Sequence, residues 1–152
     1  MMIVGMVGWG ENLHPTRLTP HEQYTHVSLW SLLSAPLLIG CDISKLDTFT
    51  LNLLTNDEVI AINHDALGRQ AQRVIENDRY QVWVKELADG GKAIGIFNMS
   101  DTYQDITINW SDIGILNIKQ VRDVWRQQNS AVIENKYAAA IPPHGVRLLR
   151  CK

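Results

Sequence analysis

Residues 28–42, SLWSLLSAPLLIGCD, read as the end of an apolar helix, a break at Pro36, an apolar strand and a polar exit at Asp42. Leu37, Leu38, Ile39 and Gly40 show no polar alternation. That is the pattern of a strand covered on both faces, and such strands belong to parallel α/β sheets with several sister strands. No sister strand is legible before it, so the first part of the chain reads as a piece of a larger α/β unit.

Upstream of this stretch, Thr19-Pro20-His21-Glu22 is a helix start. Threonine serves as N-cap, proline takes the first helical position, and glutamate three residues past the cap closes a capping box. The helix is expected over 20–34, with Tyr24, Val27, Trp30 and Leu33 or Ser34 on the buried face and Leu29 and Leu32 widening it. Downstream, two short helices are expected at 47–54 and 56–62. Ser44 or Asp47 caps the first, Asn56 caps the second, and Asp57-Glu58 complement the positive end of the second.

From Gln70 onward the apolar period changes to two. Residues 80–87 alternate, Asp89-Gly90-Gly91 signals a hairpin turn, and 92–98 return as the partner strand. Further strands are expected at 104–110, 119–125, 131–133 and 145–150, with turns at 127–130 and Pro142-Pro143. Short strands at this spacing describe an antiparallel sandwich. A boundary near 68–70 then separates an α/β part, residues 1–69, from an all-β part, residues 70–152.

Composition excludes several classes. With 152 residues, 45% hydrophobic and 20% charged, the chain has the make-up of an ordinary globular protein. A formal charge of −2 and the lack of a basic stripe argue against nucleic acid as a partner. Ser34, Pro36 and Asp42 interrupt the longest apolar run, so no membrane span is expected. The start, MMIVGMVGWG, lacks a positive n-region and a cleavage site and does not read as a signal peptide. Cys41 and Cys151 have no CxxC partner and read as buried or inert thiols.

Among candidate chemistries, a zinc site finds little support. His21 and His26, five apart on a helix, point about 140° away from each other at about 100° per residue. Only Glu22 and His26 share a face, while His14, His64 and His144 sit in loops, so no metal and no cofactor is expected. There is no GxSxG or SxxK, and Gly5, Gly8 and Gly10 do not have the spacing of a dinucleotide or phosphate loop. Asp42 leaves the carboxyl end of a strand, the face on which α/β barrels place their active sites; it either lines such a site or caps the next helical turn. Trp9, in a glycine-rich loop with Glu11 and Asn12, either stacks on a sugar ring or is buried in its loop. Trp83, Trp110 and Trp125 fall in strands and read as core. Asn98-Met-Ser and Asn109-Trp-Ser match the glycosylation triplet.

The run from Leu29 to Ala71, with Asn63-His64-Asp65-Ala66-Leu67-Gly68-Arg69-Gln70 and the later Pro143-His144-Gly145-Val146, resembles the α-galactosidases of glycoside hydrolase family 27, the melibiases. The resemblance implies an α/β remnant of a (β/α)8 barrel, its last strand and flanking helices, followed by an all-β antiparallel sandwich. It implies a retaining hydrolase of terminal α-linked galactose that uses two aspartates, a nucleophile and an acid/base. In the family both arise upstream of the region matched here. Met1 falls on the methionine that lines the galactose pocket, just after the family's Trp-Asn-Asp-Pro-Asp motif.

No catalytic residue is therefore carried over, and the substrate-binding candidates are Met1, Trp9 and Asp42. On this reading the chain alone is inactive, the full-length enzyme acts on an α-galactoside and is secreted or periplasmic, and the exposed barrel remnant favours self-association. The alternative is a carbohydrate-binding or scaffolding sandwich without catalysis.

Overall fold

The computed structural model describes residues 1–131 and 135–152. In chain order the elements are β1 (Met6–Val7), β2 (His14–Pro15), α1 (Pro20–Leu32), α2 (Thr48–Thr55), α3 (Asp57–Asn63), β3 (Gln72–Glu76), β4 (Tyr80–Glu86), β5 (Lys92–Asn98), β6 (Gln104–Asn109), β7 (Val121–Asp123), β8 (Gln128–Ser130), β9 (Lys136–Ile141) and β10 (Val146–Cys151). They stack as three layers. The helices lie on one face of a six-stranded antiparallel sheet, ordered β3-β4-β5-β10-β7-β8, and the two-stranded ribbon β6-β9 covers the other face.

Period-two geometry in the central strands serves both interfaces. Along β5, Ala93 and Phe97 face the helices, whereas Ile94 and Ile96 face the ribbon beside Ile106, Ile108 and Ile141. In β10, Leu148 and Leu149 divide in the same way. Antiparallel sheets often leave one face to solvent; here both are covered. Gly95 marks a close approach of α1 to the sheet, because a Cβ there would lie 2.5 Å from Leu32 Cδ1. Leu32 is fully buried at this contact, which stabilises the interface by about 1.5–3 kcal/mol.

Helix α1 starts as its sequence dictates. Glu22 N donates to Thr19 Oγ1 at 3.3 Å and Thr19 N donates to Glu22 Oε2 at 2.7 Å, closing the capping box. Asp47 and Asn56 cap α2 and α3. The buried face of α1 keeps Val27 and Leu32 from the expected one but is completed by Gln23, Ser28 and Ser31, with Tyr24, Leu29 and Trp30 only half-buried beside it. Small serines let the helix settle close to the sheet, and Ser28 Oγ accepts from Trp125 Nε1 at 2.8 Å.

The carboxyl end of α1 is tied down by residues from all over the chain. Ala71 N donates to Leu32 O at 2.9 Å, and Asn63 Nδ2 donates to Ala35 O at 2.9 Å. Lys85, fully buried on the helix-facing side of β4, donates to Ile62 O at 2.5 Å, Ser34 Oγ at 2.7 Å and Ser31 O at 3.3 Å. Helix ends leave orphan carbonyls that need such partners. The Asn63–Gln70 motif thus works as a joint: Asn63 holds α1, while the Asp65 carboxylate accepts from Leu67 N and from Ala88 N in the turn between β4 and β5.

The apolar run at 37–40 departs from expectation. It forms no extended strand; Ile39 makes one parallel bridge, to Met2, with Met2 N donating to Leu38 O at 2.7 Å and Gly40 N to Met2 O at 3.0 Å. Leu38 and Ile39 are exposed rather than covered on both faces. The sister segment thus exists, at residues 2–4, but it is too short to read as a strand. Further covering strands, which alone could bury this run, are not supplied by the described residues.

Other differences are local. Strands β3 and β9 lie outside the expected strands, and β8 occupies the expected turn at 127–130. The strand expected at 131–133 falls largely on residues outside those described. Trp110 is buried in a 3-10 turn rather than in β6, and Trp83 and Trp125 are half-buried at the edge of the helix-facing core. Both cysteines are free, and burial pushes the Cys151 thiol up to about 12. His144 lies in a loop and is bonded to a side chain, its Nε2 2.8 Å from Asp101 Oδ1.

The β4–β5 turn carries a pH prediction. Asp89 accepts from Lys152 Nζ at 2.6 Å, Arg150 Nη2 at 2.7 Å and Gly91 N at 2.9 Å, and these partners, Lys152 foremost, hold its carboxyl at about 2. A folded-state value below the unfolded one of about 3.9 gives stability that is present above the unfolded value and lost as pH falls toward the folded value. Thermal melts between pH 5 and 2 are expected to show a steeper acid loss in the wild type than in Asp89→Asn. Superimposable acid limbs would contradict this.

Candidate functional site

The parallel bridge between Met2 and Ile39 sets the geometry of the first candidate site. Beyond it the two segments continue side by side, with Asp42 N donating to Met6 O at 2.8 Å. Gly40 allows the close approach: a Cβ there would sit 2.7 Å from Met2 O and 3.1 Å from Met1 Cβ. Met1 therefore packs against Gly40, while Asp42 lies farther along, level with Met6. Chain direction puts Asp42 and the segment that leads into the β1–β2 hairpin at the carboxyl end of the parallel pair, with Met1 on the near side of the bridge.

Asp42 is engaged as a cap. Its Oδ1 accepts from Ser44 Oγ at 2.6 Å and from Ser44 N at 2.9 Å, opening the 3-10 turn Ile43–Lys45. These bonds to Ser44 hold its carboxyl below the usual range. A carboxylate so held stays ionised and oriented. It can accept from a hydroxyl, but its environment does not raise it toward the range of a general acid at neutral pH.

Trp9 sits at the tip of the β1–β2 hairpin, where Val7 pairs with His14 and Met6 with Pro15. Gly8 takes φ +101, a conformation suited to glycine, and a Cβ there would run into Asn12 O at 2.3 Å. The turn lifts Trp9 into solvent at 86% exposure, beside a hollow lined with Glu11, Asn12 and His14. An exposed indole next to amide and carboxylate groups is a surface on which a sugar ring can stack. The buried reading of Trp9 does not hold for this chain.

Behind the hairpin, His26 Nε2 accepts from Ile3 N at 3.3 Å and Gln23 Oε1 accepts from Gly5 N at 3.2 Å, so α1 carries the strand that positions the edge. Burial pushes the His26 imidazole down, in keeping with a neutral acceptor. Among the described residues no group of three His, Cys, Asp or Glu side chains could hold a metal ion, and no helix is long and apolar enough to cross a membrane.

Sequence reasoning missed two features. Lys85 lies on the inward phase of an alternating strand, two residues from Trp83 and two from Leu87; that phase was the available signal. A cleft of about 310 Å³ also lies at the seam between α1 and the sandwich, lined by Tyr24, Tyr103, Asp123, Trp125, Arg126 and Arg147 among others. No sequence signal joined these residues, because they come from four separate segments.

The family model for the α-galactosidase C-terminal β-sandwich domain matches residues 77–151, and the model for α-galactosidase A matches residues 4–65. The α-galactosidase of Cyamopsis tetragonoloba is 36% identical over 133 residues, which cover 86% of this chain and 32% of that protein. Among solved structures, α-galactosidase I of Mortierella vinacea superposes with a TM-score of 0.82 at 29% identity, over 88% of this chain and 36% of that one. A GH27 β-L-arabinopyranosidase of Geobacillus stearothermophilus superposes with a TM-score of 0.91 at 26% identity, over 99% of this chain and 35% of that one. The chain thus spans about a third of the length of these relatives. In two adjoining matches it carries a remnant of the family's (β/α)8 barrel and the antiparallel sandwich packed against it, and it belongs to the α-galactosidase (melibiase) family of glycoside hydrolases.

Proposed function

We propose that the chain supplies the closing part of the barrel, residues 1–69, and the C-terminal sandwich, residues 70–152, of a retaining glycoside hydrolase acting on terminal α-linked galactose. The observation that supports this reading is the parallel pairing of Met2 with Ile39, beyond whose carboxyl end follow Asp42, bonded to Met6 O, and the hairpin that carries the exposed Trp9. In a completed barrel that end opens on the substrate. Trp9 and Asp42 then contact the sugar, Trp9 by stacking and Asp42 by accepting from a hydroxyl, and Met1 joins them by its match to the family's pocket methionine. The two catalytic carboxylates, about 5–5.5 Å apart in a retaining enzyme, come from barrel strands outside this chain. The exposed barrel edge also drives self-association of the isolated chain.

The arabinopyranosidase relative supports a second reading of the substrate. β-L-Arabinopyranose has the ring configuration of α-D-galactose without its hydroxymethyl arm, so pocket residues beyond this chain decide between the two sugars. Both aryl glycosides therefore belong in the test. The purified chain is expected to turn over neither, whereas a chimera carrying it in place of the matching part of the Cyamopsis enzyme is expected to hydrolyse the α-galactoside. Turnover by the chain alone that disappears in Asp42→Asn would place a catalytic carboxylate within it. A folded but inert chimera would equally overturn the proposal.

A further inference from the structure

The seam cleft between α1 and the sandwich is built like a sugar site, and we infer that it binds a neutral oligosaccharide, in a role that rests on the glycoside hydrolase reading. Its apolar part is a corner of two rings. Tyr24 meets Trp125 edge-on, with centroids 4.8 Å apart and planes at 72°. The indole nitrogen of Trp125 is already engaged with Ser28 Oγ, which fixes the ring and leaves its polar edge satisfied. Tyr103, across the cleft, is 66% exposed and adds a third ring with a free-standing hydroxyl.

The polar part is a fixed carboxylate flanked by two guanidinium groups. Asp123, on β7, is almost fully buried; its Oδ1 accepts from Arg126 N at 3.1 Å, and its Oδ2 accepts from Arg126 Nη1 at 3.0 Å and Arg147 Nη1 at 3.5 Å. Arg147 is under-bonded. Its two hydrogen bonds, to Asp123 and to Ala140 O at 3.4 Å, are at the long limit, and its Nε is buried without a partner. Arg126 keeps about half of its side chain in solvent while anchored through one nitrogen. Each guanidinium thus has donor capacity beyond the bonds it makes.

This mixture selects a ligand class. An apolar ligand would strip water from Asp123 and the arginines without replacing it, at a cost in unpaired polar groups. A cation would meet two guanidinium groups, and an anion would meet the Asp123 carboxylate in the same small space. A neutral pyranose satisfies all of the lining, because its C–H face packs on Trp125 and Tyr24 while its hydroxyls both donate to the carboxylate and accept from the arginines. Rings inclined at 72° form a corner suited to a puckered sugar rather than a slot suited to a flat base. The cleft volume, about 310 Å³, accommodates one to two sugar rings.

The test is titration of the full chain with raffinose, read by calorimetry and by the Trp125 indole N–H resonance. Saturable binding that moves this resonance is expected, weakened at least about tenfold by Tyr103→Ala and by Arg126→Ala, with unfolding midpoints unchanged and Trp9→Ala without effect. Lack of saturable binding overturns the inference. So does binding that survives both cleft variants, or binding lost only in Trp9→Ala, which would assign the sugar to the hairpin. The chimera assay keeps the two readings apart: an active chimera with an empty cleft sinks this inference alone, and an inert chimera with a sugar-binding cleft sinks the proposed hydrolase alone.

Discussion

Replacing Lys85 with leucine is expected to destabilise the fold by about 2–4 kcal/mol, because the carbonyl of Ile62 and the hydroxyl of Ser34 lose a charged donor inside the core. For a chain of this size that corresponds to a fall in the unfolding midpoint of roughly 5–15 °C. The ammonium sits where the last turns of α1 and α3 converge on β4, so it meets the negative ends of two helices with all three of its protons donated. Burial nonetheless pushes its pKa down, and Asp65 only partly opposes this. The folded state therefore holds this proton less tightly than the unfolded chain does. Stability should rise with pH between the folded value and the unfolded one near about 10.4, a rise that Lys85→Leu lacks. Denaturant titrations of both proteins from pH 7 to 10 would show it. Equal stability and parallel pH profiles would mean that the clamp contributes nothing.

The joint held by Lys85 shows what the sequence could and could not convey. Local rules were readable: the capping box at Thr19 and Glu22, the caps at Asp47 and Asn56, and the hairpin at Asp89-Gly90-Gly91 all form where their chemistry requires. Long-range coverage was not. An apolar run reports that both faces should be covered, without saying by what. In β5 the cover comes from α1 and from the β6–β9 ribbon, and the run is buried. At 37–40 Leu38 and Ile39 lie exposed, because among the described residues the run pairs only with Met2 and packs on the helices through Leu37 alone on one side.

Strand β3 escaped notice because it is an edge strand with most of its side chains in solvent, and β9 because two of its alternating positions are small alanines on either side of Ala139. Of the site candidates, the resemblance pointed to Met1, whereas Asp42 and Trp9 were legible from strand exit and loop composition. That Met1 lies against Gly40 and Asp42 against Met6 depends on the parallel bridge, which no local pattern encodes.

The exposed run has a consequence for the isolated chain. Met1, Ile3, Leu38, Ile39 and Ile43 are each about half or more exposed on the barrel side. Beside them a hollow of about 300 Å³ is lined by Met2, Val27, Leu37, Leu53 and Val59. Residues 38–40 pair on one side only, with Met2, which leaves backbone groups open to another strand. Apolar surface and open edge coincide, and a second copy of the chain offers the same combination. Light scattering after gel filtration is therefore expected to report a dimer or larger species at about 100 µM, which requires an association free energy of only about −5.5 kcal/mol. Ile39→Lys places a charge in the centre of the patch and should return the chain to monomer without lowering its unfolding midpoint, since the side chain is half in solvent already. A wild-type chain that stays monomeric at that concentration would show that residues 1–69 satisfy themselves, and the exposed strand edge would then need no partner.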